Sequence, residues 1–153
     1  MKCIFLLFFL QLSVSNLFAL RGKVVSVIEG DVIHFKADSN HEYKIRLYGI
    51  DAPEMKQQHG KEAKKVLADK ILKKSVRIEV NGMDRYGRTT GIVVLDKISI
   101  NRWLVENGWA WQYRQYDQSD VLRDAQKSAH RKRLGLWQGT NPIPPWEFRK
   151  NVK

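Results

Sequence analysis

The sequence predicts an α+β domain: a small closed barrel of five short strands carrying three helices. Three observations point that way. Five short segments alternate apolar and polar residues, the period of a half-buried strand. Three longer segments repeat their apolar residues at helical spacing, which gives each an inward face. No internal repeat or linker divides the 153 residues, so one core serves the whole chain. Closing five short strands on themselves removes exposed edges, and a barrel is the economical arrangement.

Arg21 to Ile28 is rich in valine, with Val25 and Val27 alternating against Ser26, and Glu29-Gly30-Asp31 interrupts it as a turn does. Asp31 to Lys36 resumes the alternation, Ile33 and Phe35 opposite Val32 and His34, so the two runs read as a hairpin. Asp31 shares the side of Ile33 and Phe35. If that side lines a barrel, its carboxylate stands at the mouth. Asp38-Ser39-Asn40 is a second turn, and Glu42 to Tyr48 is a third strand with Ile45 and Leu47 opposite Arg46 and Tyr48. This strand cannot continue far. Pro53 removes a backbone donor and pushes Ala52 toward an extended conformation, so the chain leaves the sheet between Gly49 and Pro53.

From Gly60 the period changes. Ala63, Val66, Leu67, Lys70 and Ile71 mark one helix face, and Lys61, Lys64, Lys65 and Lys73 the other. Ser75 to Val80 is a fourth strand, Asn81-Gly82 a turn signal, and Arg88 to Leu95 a fifth strand. A helix from Ile98 to Asn107 stops at Gly108, a residue suited to a C-terminal cap. Trp109-Ala110-Trp111-Gln112-Tyr113 alternates aromatics with small or polar residues. The last helix, Ser119 to Leu134, turns Val121, Leu122, Ala125 and Ala129 inward, and Gly135 ends it. The proline-bearing stretch Asn141 to Trp146 is expected to be irregular, an extended segment laid on the domain.

Composition bounds the function. A hydrophobic fraction of 43% with 10% aromatics supports a packed core and excludes global disorder. A net charge of +11 and a pI near 9.9 imply a polyanionic partner, without choosing among nucleic acid, anionic lipid and acidic polysaccharide. Met1-Lys2, the apolar run from Cys3 and the small residue Ala19 read as a signal peptide over residues 1–19. Residues 20–140 then form the domain and 141–153 a tail rich in proline, aromatic and basic residues. The expected location is secreted or periplasmic, with membrane anchoring if the leader is retained. Cys3, the single cysteine, would leave with the leader, and no disulfide or thiol chemistry would remain.

Four groups of residues carry candidate chemistry. Asp31 and Asp51 are hard oxygen ligands at strand ends, the kind that hold Ca²⁺ or Mg²⁺, although aspartate is also an ordinary turn residue. His34, His41, His59 and His130 have neither helical pairing nor a cysteine partner, which argues against zinc. Asp84-Arg85-Tyr86-Gly87-Arg88 places two guanidiniums in a glycine-containing loop, where they can grip phosphate or simply be solvated. Glu54, just past Pro53, can take a proton from an attacking water or serve as a helix-entry charge. Trp103, Trp109, Trp111, Tyr113 and Tyr116 crowd together. Helical and strand spacing make the tryptophans core residues, leaving Tyr113 as the candidate for stacking on a base.

Taken in order, Gly30-Asp31, Arg46-Leu47, Ile50-Asp51-Ala52-Pro53-Glu54, Asp84-Arg85-Tyr86-Gly87-Arg88 and Gly135-Leu136-Trp137 resemble the staphylococcal nuclease family over about Val24 to Trp137. The resemblance implies an OB-fold nuclease that hydrolyses phosphodiester bonds of DNA and RNA with Ca²⁺ and leaves 3′-phosphate ends. It implies Asp31, Asp51 and the carbonyl of Ala52 as metal ligands, and Arg46, Glu54 and Arg88 as catalytic residues. Arg85, Tyr86 and Tyr113 would contact substrate, Tyr113 matching the family's stacking tyrosine only to within a residue or so. Ala52 departs from the family's best-known member, which has threonine there, and the loop Met55 to Gly60 is short. The implied partners are single-stranded DNA and RNA, with duplex DNA left open, for a monomer with no membrane span once the leader is cut. A non-catalytic nucleic-acid-binding barrel and a cationic cell-surface protein remain as alternatives.

Overall fold

The computed structural model describes residues 19–152, so the leader expected over residues 1–19, but for Ala19, lies outside them. The chain begins with an antiparallel meander of β1 (Ala19–Glu29), β2 (Val32–Ala37) and β3 (Glu42–Leu47). The two-residue β4 (Ile50–Asp51) leads through a loop to α1 (Gly60–Ile71). Next come β5 (Ser75–Met83), β6 (Thr89–Leu95) and the short β7 (Ile98–Ser99). Then α2 (Ile100–Glu106), β8 (Trp111–Gln112) and α3 (Asp120–Arg131) follow. A 3₁₀ turn (Gly135–Gln138) and α4 (Pro145–Asn151) complete the described chain.

Five of these strands close a barrel. β5 pairs with β1 on one side and β6 on the other, and β6 meets β3 in parallel, Ile45 facing Thr89 and Leu47 facing Gly91. The fold is therefore the expected α+β barrel of OB type. Its interior holds Phe35, Ile45, Leu47 and Ile78, all fully buried, with Leu67 and Ile71 of α1 plugging one end. Alternation explains the pattern: along β2 and β3 every second side chain is buried, and the intervening His34, Lys36 and Lys44 are exposed. Like charges face each other outside, Lys23 of β1 opposite Lys36 of β2.

Several local expectations are corrected. Val25 points outward at 49% exposed while Val24 and Val27 are buried, because the β1–β2 register shifts between Val24 and Ser26. A bulge puts one extra residue on β1 and breaks strict alternation. Asn81-Gly82 is not the turn: the strand continues to Met83 through another register shift, and the chain reverses at Asp84 to Arg88. Val121 is 56% exposed, so the inward face of α3 consists of Leu122, Ala125 and Ala129. Gly108 does follow α2 at φ +76, as its capping role requires.

Four α-helices form instead of three. The tail is irregular from Asn141 to Pro144, but Pro145 and Trp146 begin α4. Proline lacks only the N–H that a first-turn residue would leave unpaired, and its fixed φ suits that position, so Pro145 starts a helix rather than preventing one.

Candidate active site

One pocket of about 390 Å³ opens where the barrel, the β5–β6 hairpin and the C-terminal helix meet. The nine residues singled out in the sequence all line it: Asp31, Arg46, Asp51, Ala52, Glu54, Arg85, Tyr86, Arg88 and Tyr113. They arrive from separate elements, which is why only the barrel brings them together.

Asp31 sits in the β1–β2 turn and Asp51 on β4, and both are almost fully buried, at 4% and 2% exposed. Gly30 permits the approach. A Cβ there would come within 2.7 Å of the Ala52 Cβ and 3.0 Å of the Ala63 Cβ, so any side chain would push the turn off the loop and off α1. With glycine the turn seats closely, and Asp31 Oδ2 accepts a 2.7 Å hydrogen bond from the Ala52 N–H. Arg46 then joins the two acids, its Nη2 lying 3.1 Å from Asp31 Oδ2 and 2.9 Å from Asp51 Oδ1. Its Nη1 donates to the carbonyls of Leu47 and Ile50, 2.8 Å each. Both terminal nitrogens of Arg46 are thus engaged by the protein.

Burial raises the Asp51 pKa to about 6, with a hydrogen bond from Arg149 opposing, Asp31 adding to the rise, and Arg46 opposing it. A buried carboxylate in that condition favours a further positive charge. Glu29 faces the same pocket, and burial followed by repulsion from Asp31 and Glu54 raises its pKa too.

Across the pocket, the β5–β6 hairpin is folded by Asp84. Its Oδ1 accepts from the backbone N–H groups of Tyr86 and Arg88, at 2.9 and 3.0 Å, and its Oδ2 from Arg88 Nε at 2.6 Å. Burial works to raise the Asp84 pKa, yet these bonds from Arg88 and Tyr86 hold it below the usual carboxylate value. Arg88 is anchored by Nε alone, and among the described residues its terminal nitrogens make no hydrogen bond. The exposed Tyr86 ring lies 5.4 Å from the Arg88 guanidinium and 4.9 Å from that of Arg85. At the rim, Tyr113 meets Tyr116 edge-on at 5.0 Å. Trp111 and Trp137 pack edge-to-face at 5.5 Å, and Trp111 is buried, in keeping with its core reading.

The carboxylate pair fits a hard divalent cation. Two buried acids lie side by side, bridged by a single arginine nitrogen, and Asp31 Oδ1 takes no hydrogen bond among the described residues. Among those residues no three acidic, imidazole or thiol groups gather, so backbone oxygens and water would have to complete the shell of an ion held there.

Comparison with known proteins places this geometry. The sequence model described as "Staphylococcal nuclease homologue" matches residues 44–139. The chain belongs to the staphylococcal nuclease family. As a member of that family it is a nuclease. A protein of Haemophilus influenzae named an uncharacterized endonuclease is 40% identical over 131 residues, covering 86% of this chain and 74% of the relative. The micrococcal nuclease of Shigella flexneri is 36% identical over 144 residues, 87% of this chain and 82% of its own. A probable staphylococcal-like nuclease of Oryza sativa subsp. japonica is 41% identical over 111 residues, covering 72% of this chain but 34% of its own length.

Three contributors to the pocket were missed in the sequence. Asp84 belongs to a quoted motif but had no role until its fold of the hairpin was visible. Glu29 read as a turn residue. Arg149 of α4 carries no local signal at all, being 98 positions away from Asp51, which it contacts.

Proposed function

We propose that this member of the staphylococcal nuclease family is an exported, calcium-dependent nuclease that acts as a monomer. It hydrolyses phosphodiester bonds of DNA and RNA to leave 3′-phosphate ends. The observation that carries the reading is the convergence of buried Asp31 and Asp51 with Glu54 and Arg88 on one pocket. The export rests on the charged and apolar run from Met1 to Ala19.

Asp31 and Asp51 would hold the cation, with the Ala52 carbonyl beside them. Bound there, Ca²⁺ supplies Lewis-acid polarisation of a phosphate oxygen. The free terminal nitrogens of Arg88 are positioned to take two non-bridging oxygens of the scissile group, where negative charge grows as phosphorus becomes five-coordinate. Arg46 reaches the same phosphate through Nε, or through Nη2 once the acids have another partner. Glu54 accepts the proton of the attacking water. That water bonds to phosphorus in line with the departing 5′ oxygen, the P–O5′ bond breaks, and the leaving oxygen takes a proton from solvent. Tyr86 and Arg85 would contact a neighbouring phosphate and Tyr113 a base.

Incubating purified protein with single-stranded DNA tests this. Cleavage is expected with Ca²⁺, should stop with chelator, and should yield ends that accept no 3′ extension until treated with a phosphatase. Binding with no cleavage in Ca²⁺ would instead mark a non-catalytic barrel.

A further inference from the structure

The C-terminal helix closes over the pocket and puts a fourth arginine into it, beside Arg46, Arg85 and Arg88. Arg149 Nη2 donates to Asp51 Oδ2 at 2.8 Å, and Nη1 donates to Glu54 Oε1 at 2.6 Å. Arg46 already holds Asp51 Oδ1. Both oxygens of one candidate ligand and one oxygen of the candidate base are therefore occupied by guanidinium. Burial works against the charge on Arg149, but Asp51 and Glu54 hold its pKa above the ordinary value, so it stays a cation.

The same helix turn is fastened at two further points. Trp146, three residues before Arg149 and so on the same face, stacks on Tyr113 with rings 5.5 Å apart and 6° from parallel. Upstream, Gln57 Nε2 donates to the Ile143 carbonyl at 2.5 Å. Two of the anchors are in the pocket, the acids and the candidate base-stacking ring, and the third is on the loop that follows Glu54. A helix of seven residues has little stability alone, so docking is what maintains it.

We propose that α4 is a latch on the active site, with Arg149 standing in the seat of the divalent cation and Trp146 covering Tyr113, so that cation binding must release the helix. The inference rests on the reading that Asp31 and Asp51 hold a cation. A guanidinium and a divalent ion seated together on Asp51 Oδ2 repel each other at close range, so the two compete for that oxygen. The apparent cation affinity is then the intrinsic affinity reduced by the fraction of molecules with the latch open. Anything that weakens docking raises that fraction, even at a position far from the carboxylates.

The test is calorimetric titration of Ca²⁺ into chelator-stripped protein, comparing wild type, Arg149→Ala, Trp146→Ala and Asp51→Asn. Both tail variants are expected to bind Ca²⁺ at least about ten-fold more tightly than wild type, as loss of the two charge-assisted contacts of Arg149 or of one aromatic stack allows. Asp51→Asn should lose the site. Trp146→Ala is the decisive member, because it removes no charge. If Arg149→Ala binds more tightly and Trp146→Ala does not, only local repulsion has been removed, and the latch is overturned. Equal or weaker binding in both tail variants, with wild-type binding still sensitive to Asp51, also overturns the latch while leaving the nuclease reading in place. Absence of any Asp51-sensitive calcium site in all proteins removes the reading beneath it, and the latch with it.

Discussion

Arg46 and Arg88 are engaged unequally by the protein around them. Arg88 is held by a single nitrogen on Asp84 and keeps its terminal fork open to the pocket, whereas Arg46 is spent on two carboxylates and two carbonyls. Lysine offers one point charge in place of a planar fork, so Arg88→Lys should lower the cleavage rate about a hundred-fold with the melting temperature unchanged. A rate within about three-fold of wild type would remove Arg88 from the transition state. Arg46→Lys should lose comparable activity and also stability, because no other described residue bridges Asp31 to Asp51. The sequence motifs singled out these residues as candidates but did not show their partners. A run such as Arg46-Leu47 does not show which acceptors surround the guanidinium, since apart from the Leu47 carbonyl these come from β4 and from the turn before β2.

The parallel seam between β3 and β6 is the element on which the site depends, since Arg46 pairs there with Thr90 and Arg88 immediately precedes β6. Asn101, at the start of α2, fastens that seam from outside. Its Oδ1 accepts from the Val93 N–H, and its Nδ2 donates to the carbonyls of Tyr48 and Gly91. It is buried at 2% exposed, so water cannot readily replace it. Asn101→Ala should destabilise the protein by about 3 kcal/mol in urea unfolding, through lost bonds and a stranded N–H. A loss below about 1 kcal/mol would show that the seam closes without it. The five barrel strands and helices α1 to α3 were legible because periodicity is a local property. Register was not: the bulge at Val24 to Ser26 and the continuation through Asn81-Gly82 are set by pairing with other strands. The short α4 escaped because prolines argue against helix everywhere except at its first turn, and because its stability comes from the surface it covers.

For the whole molecule the dominant quantity is charge. Without residues 1–19, whose one charged residue is Lys2, the net charge of +11 falls by one, so the remainder stays strongly basic. Much of that charge lies where it repels its own kind: Lys23 faces Lys36 across two strands, and the outer face of α1 carries Lys61, Lys64 and Lys65, of which Lys65 is paired with Asp69. Directly opposed like charges destabilise a sheet. A polyanion would relieve that repulsion, and one with regularly spaced phosphates would do so while releasing condensed counterions. Binding of single-stranded DNA in chelator, followed by fluorescence anisotropy, should therefore weaken steeply with salt. About four phosphate contacts give a log–log slope near −3, or about fifty-fold between 50 and 200 mM salt. A slope near zero would mean that the basic surface is not a phosphate track, and that recognition is confined to the pocket. Adding Arg88→Lys separates the two contributions: charge is kept, so the slope should persist while cleavage in Ca²⁺ falls.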